Sequence, residues 1–212
     1  GHADAFLVSA GSGVATLEIQ SVPGVTATVA GDTLTAPYNN LPAVEQLITA
    51  HPEEIAAIIV EPVAGNMGCI LPQPGFLEGL RQLCDANGIL LIFDEVMTGF
   101  RLARGGAQEL FNIKADLVTF GKIIGGGMPV GAFAGSKEIM QYVAPAGKVY
   151  QAGTLSGNPI AMISGYTMLK TLQENPVIYK QLEEKKDYLV KGLKEALGAA
   201  GVVHQINHIG SM

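Results

Sequence analysis

The chain is expected to fold as an α/β domain on a mostly parallel sheet with crossover helices, and three observations predict it. Short apolar runs recur in residues 53–62, 89–93 and 115–120, the composition of strands covered on both faces. Apolar residues spaced three and four apart separate the first two runs, and strand, helix, strand in that order is the pattern of parallel pairing. Glycine is abundant, 27 in 212 residues, while 15% of residues are charged and 48% hydrophobic, a balance that suits a packed α/β core and excludes a disordered or fibrous chain.

The elements follow in order. Residues 1–32 contain Ser9-Ala10-Gly11-Ser12-Gly13 and a Gly-, Thr- and Pro-rich stretch with little periodicity, so a long irregular segment is expected, of the kind that serves as a lid. Residues 53–62 form a strand closed by Pro62. Phe76, Leu77, Leu80, Leu83 and Cys84 share one face of a helix that Asn87-Gly88 ends. Residues 89–93 and 115–120 are the next two strands, with a short helical stretch between them. Asn158-Pro159 is a helix start with a capping amide and proline at the first helical position, and Asn175-Pro176 repeats that device. The second of these helices carries Glu183, Glu184, Lys185, Lys186, Asp187, Lys191, Lys194 and Glu195, a solvated face. Glycines at 198 and 201 end it, and residues 202–209 read as a strand. The change in composition near Leu172 marks a domain boundary, with residues 1–172 forming a sheet-centred part and residues 173–212 opening a small α+β domain.

The formal net charge of −6 and the lack of any Lys/Arg cluster argue against a nucleic-acid partner, because phosphate neutralisation needs a basic face. No apolar run reaches membrane-spanning length, and no cationic start precedes a short apolar stretch. Cys69 and Cys84 have no CxxC or Cys/His companion, so both read as small core residues rather than as a disulfide or zinc site. His204 and His208 are four apart without a nearby carboxylate or Cys, so no metal is expected.

Chemistry concentrates at two strand ends. The run 89–93 stops at Asp94-Glu95-Val96, and the run 115–120 is followed by Gly121-Lys122-Ile123-Ile124-Gly125-Gly126-Gly127. An isolated lysine in such a turn is usually a solvated surface group. Here it has flanking glycines that admit a ligand to the backbone and a carboxylate at the end of a neighbouring strand. A lysine paired with an aspartate in that way is what pyridoxal phosphate requires: the amine forms an imine with the aldehyde, and the carboxylate keeps the pyridine nitrogen protonated. Val96 would face the same side as Asp94 and pack on the ring. Glu61 and Asn66, in Glu61-Pro62-Val63-Ala64-Gly65-Asn66, leave the preceding strand at the same edge. The glycine cluster is neither G-x-G-x-x-G nor a P-loop, so a nucleotide reading falls away.

Four strings carry a closer identification: Glu61-Pro62-Val63-Ala64-Gly65-Asn66-Met67-Gly68, Asp94-Glu95-Val96-Met97-Thr98-Gly99-Phe100-Arg101, Phe120-Gly121-Lys122-Ile123-Ile124-Gly125-Gly126-Gly127, and Tyr150-Gln151-Ala152-Gly153-Thr154-Leu155-Ser156-Gly157-Asn158-Pro159. In order and spacing they resemble the class III pyridoxal-phosphate aminotransferases of fold type I, over nearly the whole chain. Gly1-His2-Ala3-Asp4-Ala5-Phe6 and Ala10-Gly11-Ser12-Gly13-Val14-Ala15-Thr16-Leu17 favour the aminomutases of that family over its general aminotransferases.

The resemblance implies roles position by position. Lys122 would be the Schiff-base lysine, Asp94 the partner of the pyridine nitrogen and Val96 the side chain under the ring. Asn66 would hydrogen-bond the ring's phenolic oxygen, a task many relatives give to a Gln where this chain has Met97. Thr154 would reach the phosphate of the neighbouring subunit's cofactor, making a homodimer necessary for a complete site. Ser12, and more loosely Glu61 and Tyr150, would lie near a small-molecule substrate. Residues 1–32 would be a lid that retains the reaction intermediate, although Leu17-Glu18-Ile19-Gln20-Ser21-Val22 departs from the Gly- and Pro-containing lid of the aminomutases. The family's phosphate-binding turn and most of its second domain have no counterpart in these residues, so the chain reads as a fragment of a longer protein. The implied compartment is the cytoplasm, or a plastid in a plant or alga.

The implied activity moves an amino group between adjacent carbons of one substrate, with the cofactor in its pyridoxamine phosphate form. The alternatives are an ω-aminotransferase that exchanges the group between two substrates, and a non-catalytic pyridoxal-phosphate-binding module or inactive fragment.

Overall fold

The computed structural model describes residues 4–8 and 22–212. After a 3-10 turn at Asp4–Phe6 come α1 (Ala27–Gly31), α2 (Leu41–Ala50), β1 (Ala57–Val60), α3 (Phe76–Asn87), β2 (Leu90–Asp94), α4 (Gly106–Phe111) and β3 (Leu117–Phe120). A 3-10 turn at Lys122–Gly125 precedes β4 (Ala132–Gly135), α5 (Lys137–Met140), α6 (Pro159–Glu174) and α7 (Val177–Ala199). The strands form one sheet in the order β1-β2-β3-β4. The first two pairings are parallel and the last antiparallel, as a mostly parallel α/β sheet requires.

The sheet is held by one apolar layer. Leu91 and Phe93 alternate inward along β2 and meet Phe76, Leu77, Leu80 and Cys84 of α3, with Val44 of α2 and Val118 of β3 closing the cluster. Each fully buried Leu or Phe contributes about 1.5–3 kcal/mol through the apolar area it removes from water. α3 stops where the sequence predicts: Gly88 adopts φ +67° and its amide bonds the Cys84 carbonyl, a left-handed cap that glycine adopts without a Cβ clash. Cys84 is buried, and burial pushes its thiol up to about 11. Cys69 is only half-buried, beside a second small cluster of Val63, Leu102 and Ala107.

Two helices carry a local signature of capping. Asn40 accepts from the Ala43 amide at 3.0 Å and starts α2, and Asn158 accepts from the Ile160 and Ala161 amides to start α6. Asn175 behaves differently from the expected second cap. Its side-chain amide donates to the Thr171 carbonyl at 2.9 Å, so it finishes α6 instead of starting α7, because a two-residue connection leaves it beside the unpaired carbonyls of the helix behind it.

Two strand expectations change. β1 is not covered on both faces: Ile59 is 47% exposed, since among the described residues the core cluster packs on the face that carries Ile58 and Val60. Residues 202–209 form no strand. They run as an extended strap that Asn207 ties to the Gly68 carbonyl and Ser211 ties to the Arg101 carbonyl, with Ile209 and Met212 packed on the Val63 cluster. Side-chain bonds to these carbonyls take the place of a ladder. Among the described residues no helix is long and apolar enough to cross a membrane.

Candidate active site

The parallel register brings the sequence-predicted residues to one edge. Val60 pairs with Phe93, which sets Glu61 beside Asp94, and Asp94 pairs with Thr119, three residues before Lys122. Glu61, Asp94 and Lys122 therefore leave adjacent strand tips at their carboxyl ends, the edge where open α/β sheets bind ligands. The charges are close enough for both Asp94 and Lys122 to act electrostatically on Glu61.

Each group is positioned by its own device. Asp94 is half-buried, and its Oδ1 accepts from the Val96 amide at 3.0 Å, which orients the carboxylate and leaves Oδ2 without a donor among the described residues. Gly121 is buried, and a Cβ there would sit 3.1 Å from a Val96 methyl, so glycine is what lets the Lys122 turn approach Val96. Lys122 itself is exposed and holds φ +47°, a left-handed conformation that costs a non-glycine residue on the order of 1 kcal/mol and is typical of functional positions. Asn66 is exposed in the turn at residues 65–68, closed by the Gly68 and Cys69 amides bonding the Gly65 carbonyl.

Glu61 holds that turn by accepting from the Gly65 amide at 3.0 Å. Burial first, and Asp94 after it, push its carboxyl above the usual range, against the opposing pull of the Gly65 amide and Lys122. A carboxyl whose pKa is raised by folding stabilises the fold when protonated: the contribution is complete below the unfolded pKa and is lost as pH rises through the higher folded value. Glu61→Gln is therefore expected to raise the stability of cofactor-free protein at about pH 8, with the gain shrinking towards about pH 4. Urea unfolding at the two pH values checks this, and an equal gain at both would refute it.

Tyr150 and Thr154 lie in an exposed segment, and no described hydrogen bond joins them to Asp94 or Lys122. Ser12 lies outside the described residues, as does half of the expected lid. Three contributors escaped sequence reasoning. Tyr38 donates to the Pro62 carbonyl at 2.9 Å and packs edge-on against Phe76, and burial beside Glu61 pushes its hydroxyl up. Glu95, fully buried directly after Asp94, accepts from the Ala107 and Gln108 amides and the Thr98 hydroxyl, anchoring the tip of β2 to the start of α4. Ser164 on α6 donates to the Gly126 carbonyl at 3.0 Å.

The opposite edge is structural. Asp116 accepts from the Leu91 amide at 2.7 Å and from Arg81 at 2.8 Å, and this pair lines a concavity of about 570 Å³ that contains none of Glu61, Asp94 and Lys122. Among the described residues no cluster of His, Cys, Asp and Glu could hold a metal ion. An amine and a carboxylate with one free oxygen, on neighbouring strand tips, fit an aldehyde-bearing protonated heterocycle of the pyridoxal type.

Comparisons with known proteins give the family of the chain. The chain is 62% identical over 212 residues to the glutamate-1-semialdehyde 2,1-aminomutase of Flavobacterium psychrophilum, covering 100% of this chain and 50% of that protein. It is 64% identical to the enzyme of that name from Flavobacterium johnsoniae, with the same coverage. The chain thus spans about half the length of the curated relatives it matches. A solved structure described as "Transaminase with PLP bound" superposes with a TM-score of 0.89 at 30% identity, over 99% of this chain and 49% of that one. An omega-transaminase from Sphaerobacter thermophilus gives 0.84 at 35% identity, over 90% and 44%. The family model for aminotransferase class-III matches residues 1–212, and the chain belongs to that family.

Proposed function

We propose that this protein is a pyridoxal-phosphate-dependent aminomutase that converts glutamate-1-semialdehyde to 5-aminolevulinate, a precursor of tetrapyrroles. The observation that carries the chemistry is the placement of Asp94 and Lys122 on adjacent strand tips, and the names of the relatives at 62% and 64% identity support the substrate. Substrate and product are isomers, so no second amino acceptor and no oxidant are needed. When bound as its aminated form, the cofactor supplies an amino group and an electron sink for the carbon that loses a proton.

This chain's residues do the rest. The Lys122 amine takes a proton from one carbon of the substrate and returns it to the neighbouring one. The Asp94 carboxylate holds a proton on the ring nitrogen through its free Oδ2. Val96 packs on one ring face, Asn66 donates to the phenolic oxygen, and Glu61, Tyr150 and Ser12 border the substrate. Thr154 reaches the phosphate of a second subunit's cofactor. A homodimer also accounts for an apolar surface on α6 and the segment before it, where Tyr150, Leu155, Ile160, Ile163 and Tyr166 are all exposed. Residues 1–172 form the cofactor-binding domain, with 1–32 as its lid, and residues 173–212 open a smaller domain. The compartment of such an enzyme is the cytoplasm.

Full-length protein incubated with the semialdehyde alone is expected to form 5-aminolevulinate over many turnovers. Arrest after one half-reaction of the aminated cofactor, relieved by an added amino donor, would overturn the reading in favour of an ω-aminotransferase. Borohydride treatment of protein loaded with the aldehyde form, pyridoxal phosphate, is expected to fix the cofactor on Lys122, read by peptide mass.

A further inference from the structure

We propose that Ser164 is a positioning residue that holds the Lys122 turn in its productive shape through the Gly126 carbonyl. Lys122 stands in a left-handed conformation at the start of the 3-10 turn Lys122–Gly125, and Gly126 follows at φ +57°. A left-handed lysine persists only where its neighbours over-determine it, whereas Gly126 takes its φ without a Cβ clash. The turn's internal bonds run from the Ile124 amide to Gly121 and from the Gly126 amide to Ile123. Among the described residues, one side chain from outside hydrogen-bonds this turn: the Ser164 hydroxyl, at 3.0 Å from the Gly126 oxygen.

The fit around that bond is close. A Cβ on Gly126 would lie 2.6 Å from the Ser164 carbonyl oxygen, and one on Gly165 would run into the Ile124 carbonyl oxygen. Glycines on both sides let α6 press backbone to backbone on the turn, with Gly125 and Gly165 buried and Ser164 half-buried. The hydroxyl then fixes where along α6 the turn sits. The same helix presents Ile160, Ile163 and Tyr166 on its exposed side, so the element that positions Lys122 also carries the surface assigned above to the second subunit.

The inference rests on Lys122 being the cofactor lysine, and the test separates the two claims. In full-length protein stripped of cofactor, condensation of the Lys122 amine with added pyridoxal phosphate, which releases water, is followed by absorbance. Ser164→Ala is expected to slow that capture about tenfold, because small misplacements of a reacting group are costly. The pH midpoint of the bound cofactor's spectrum should move by about half a unit. Amides 123–128 should exchange with solvent about tenfold faster in the cofactor-free protein. Ser164→Thr, which keeps the hydroxyl, should restore all three. Thr167→Ala removes a hydroxyl on the same helix that bonds the Ile163 carbonyl and should leave them unchanged. Wild-type capture and exchange in Ser164→Ala, or equal effects in Thr167→Ala, would overturn the proposal. Absence of capture on Lys122 in the parent protein would sink the functional reading, while the exchange contrast would still decide whether Ser164 holds the turn.

Discussion

Lys122→Ala in the full-length protein is expected to lower turnover by about a thousandfold or more while leaving the fold intact. Among the described residues at this edge the amine is the one group proposed both to attach the cofactor and to carry a proton between carbons, and removing a group that acts in two steps is rarely compensated. Lys122→Arg should not rescue activity, because a guanidinium does not give up its proton at ordinary pH. Stability should move the other way from activity. Lys122 is exposed and left-handed at φ +47°, so Lys122→Gly relieves backbone strain and should unfold within about 1 kcal/mol of the parent, the glycine's extra freedom in the unfolded chain offsetting much of the gain. Steady-state turnover and thermal unfolding of the three variants check this. A Lys122→Ala enzyme retaining a tenth of its activity would remove the lysine from the chemistry.

Glu95→Ala should be the most damaging substitution for stability among the residues around the site. The carboxylate is fully buried and satisfies two backbone amides and the Thr98 hydroxyl. α4 begins with Gly105 and Gly106 and has no side-chain cap of its own, so Glu95 reaches across to do that work. Truncation strands the Ala107 and Gln108 amides and leaves a cavity, for an expected loss of about 3 kcal/mol or more by urea unfolding. Glu95→Gln keeps the shape but turns one acceptor into a donor facing an N–H, at about 1–3 kcal/mol. Because Glu95 sits between Asp94 and Val96, Glu95→Ala should also weaken cofactor retention. A loss under about 1 kcal/mol would contradict this account.

The same residue shows where sequence reasoning stops. Asp94 was legible because an apolar run ends on it, and Lys122 because another run ends two residues before it: both signals are local. Glu95 stands next to Asp94 in every reading of the string, yet the two backbone amides it satisfies lie twelve and thirteen residues on. Its burial follows from how β2 and α4 pack, not from its neighbours. The available hint was a helix opening on Gly105-Gly106 with no capping residue. Ser164 is harder still, since its bond spans 38 residues and a serine inside an amphipathic helix has many uses. Asn175 was misassigned for a related reason: an Asn-Pro pair between two helices offers its amide to either, and geometry chose the helix behind it.

By itself the sequence determined the α/β class, the order of three strands and the helices between them, and it singled out the two residues proposed to carry the chemistry, because hydrophobic periodicity and strand-end placement act over a few residues. Tertiary structure decided what depends on distant pairing. It made β4 antiparallel, exposed one face of β1, turned residues 202–209 into a strap, and set Glu61 beside Asp94 through the register of β1 on β2. Register and packing are properties of elements meeting, and no short window of residues contains both partners.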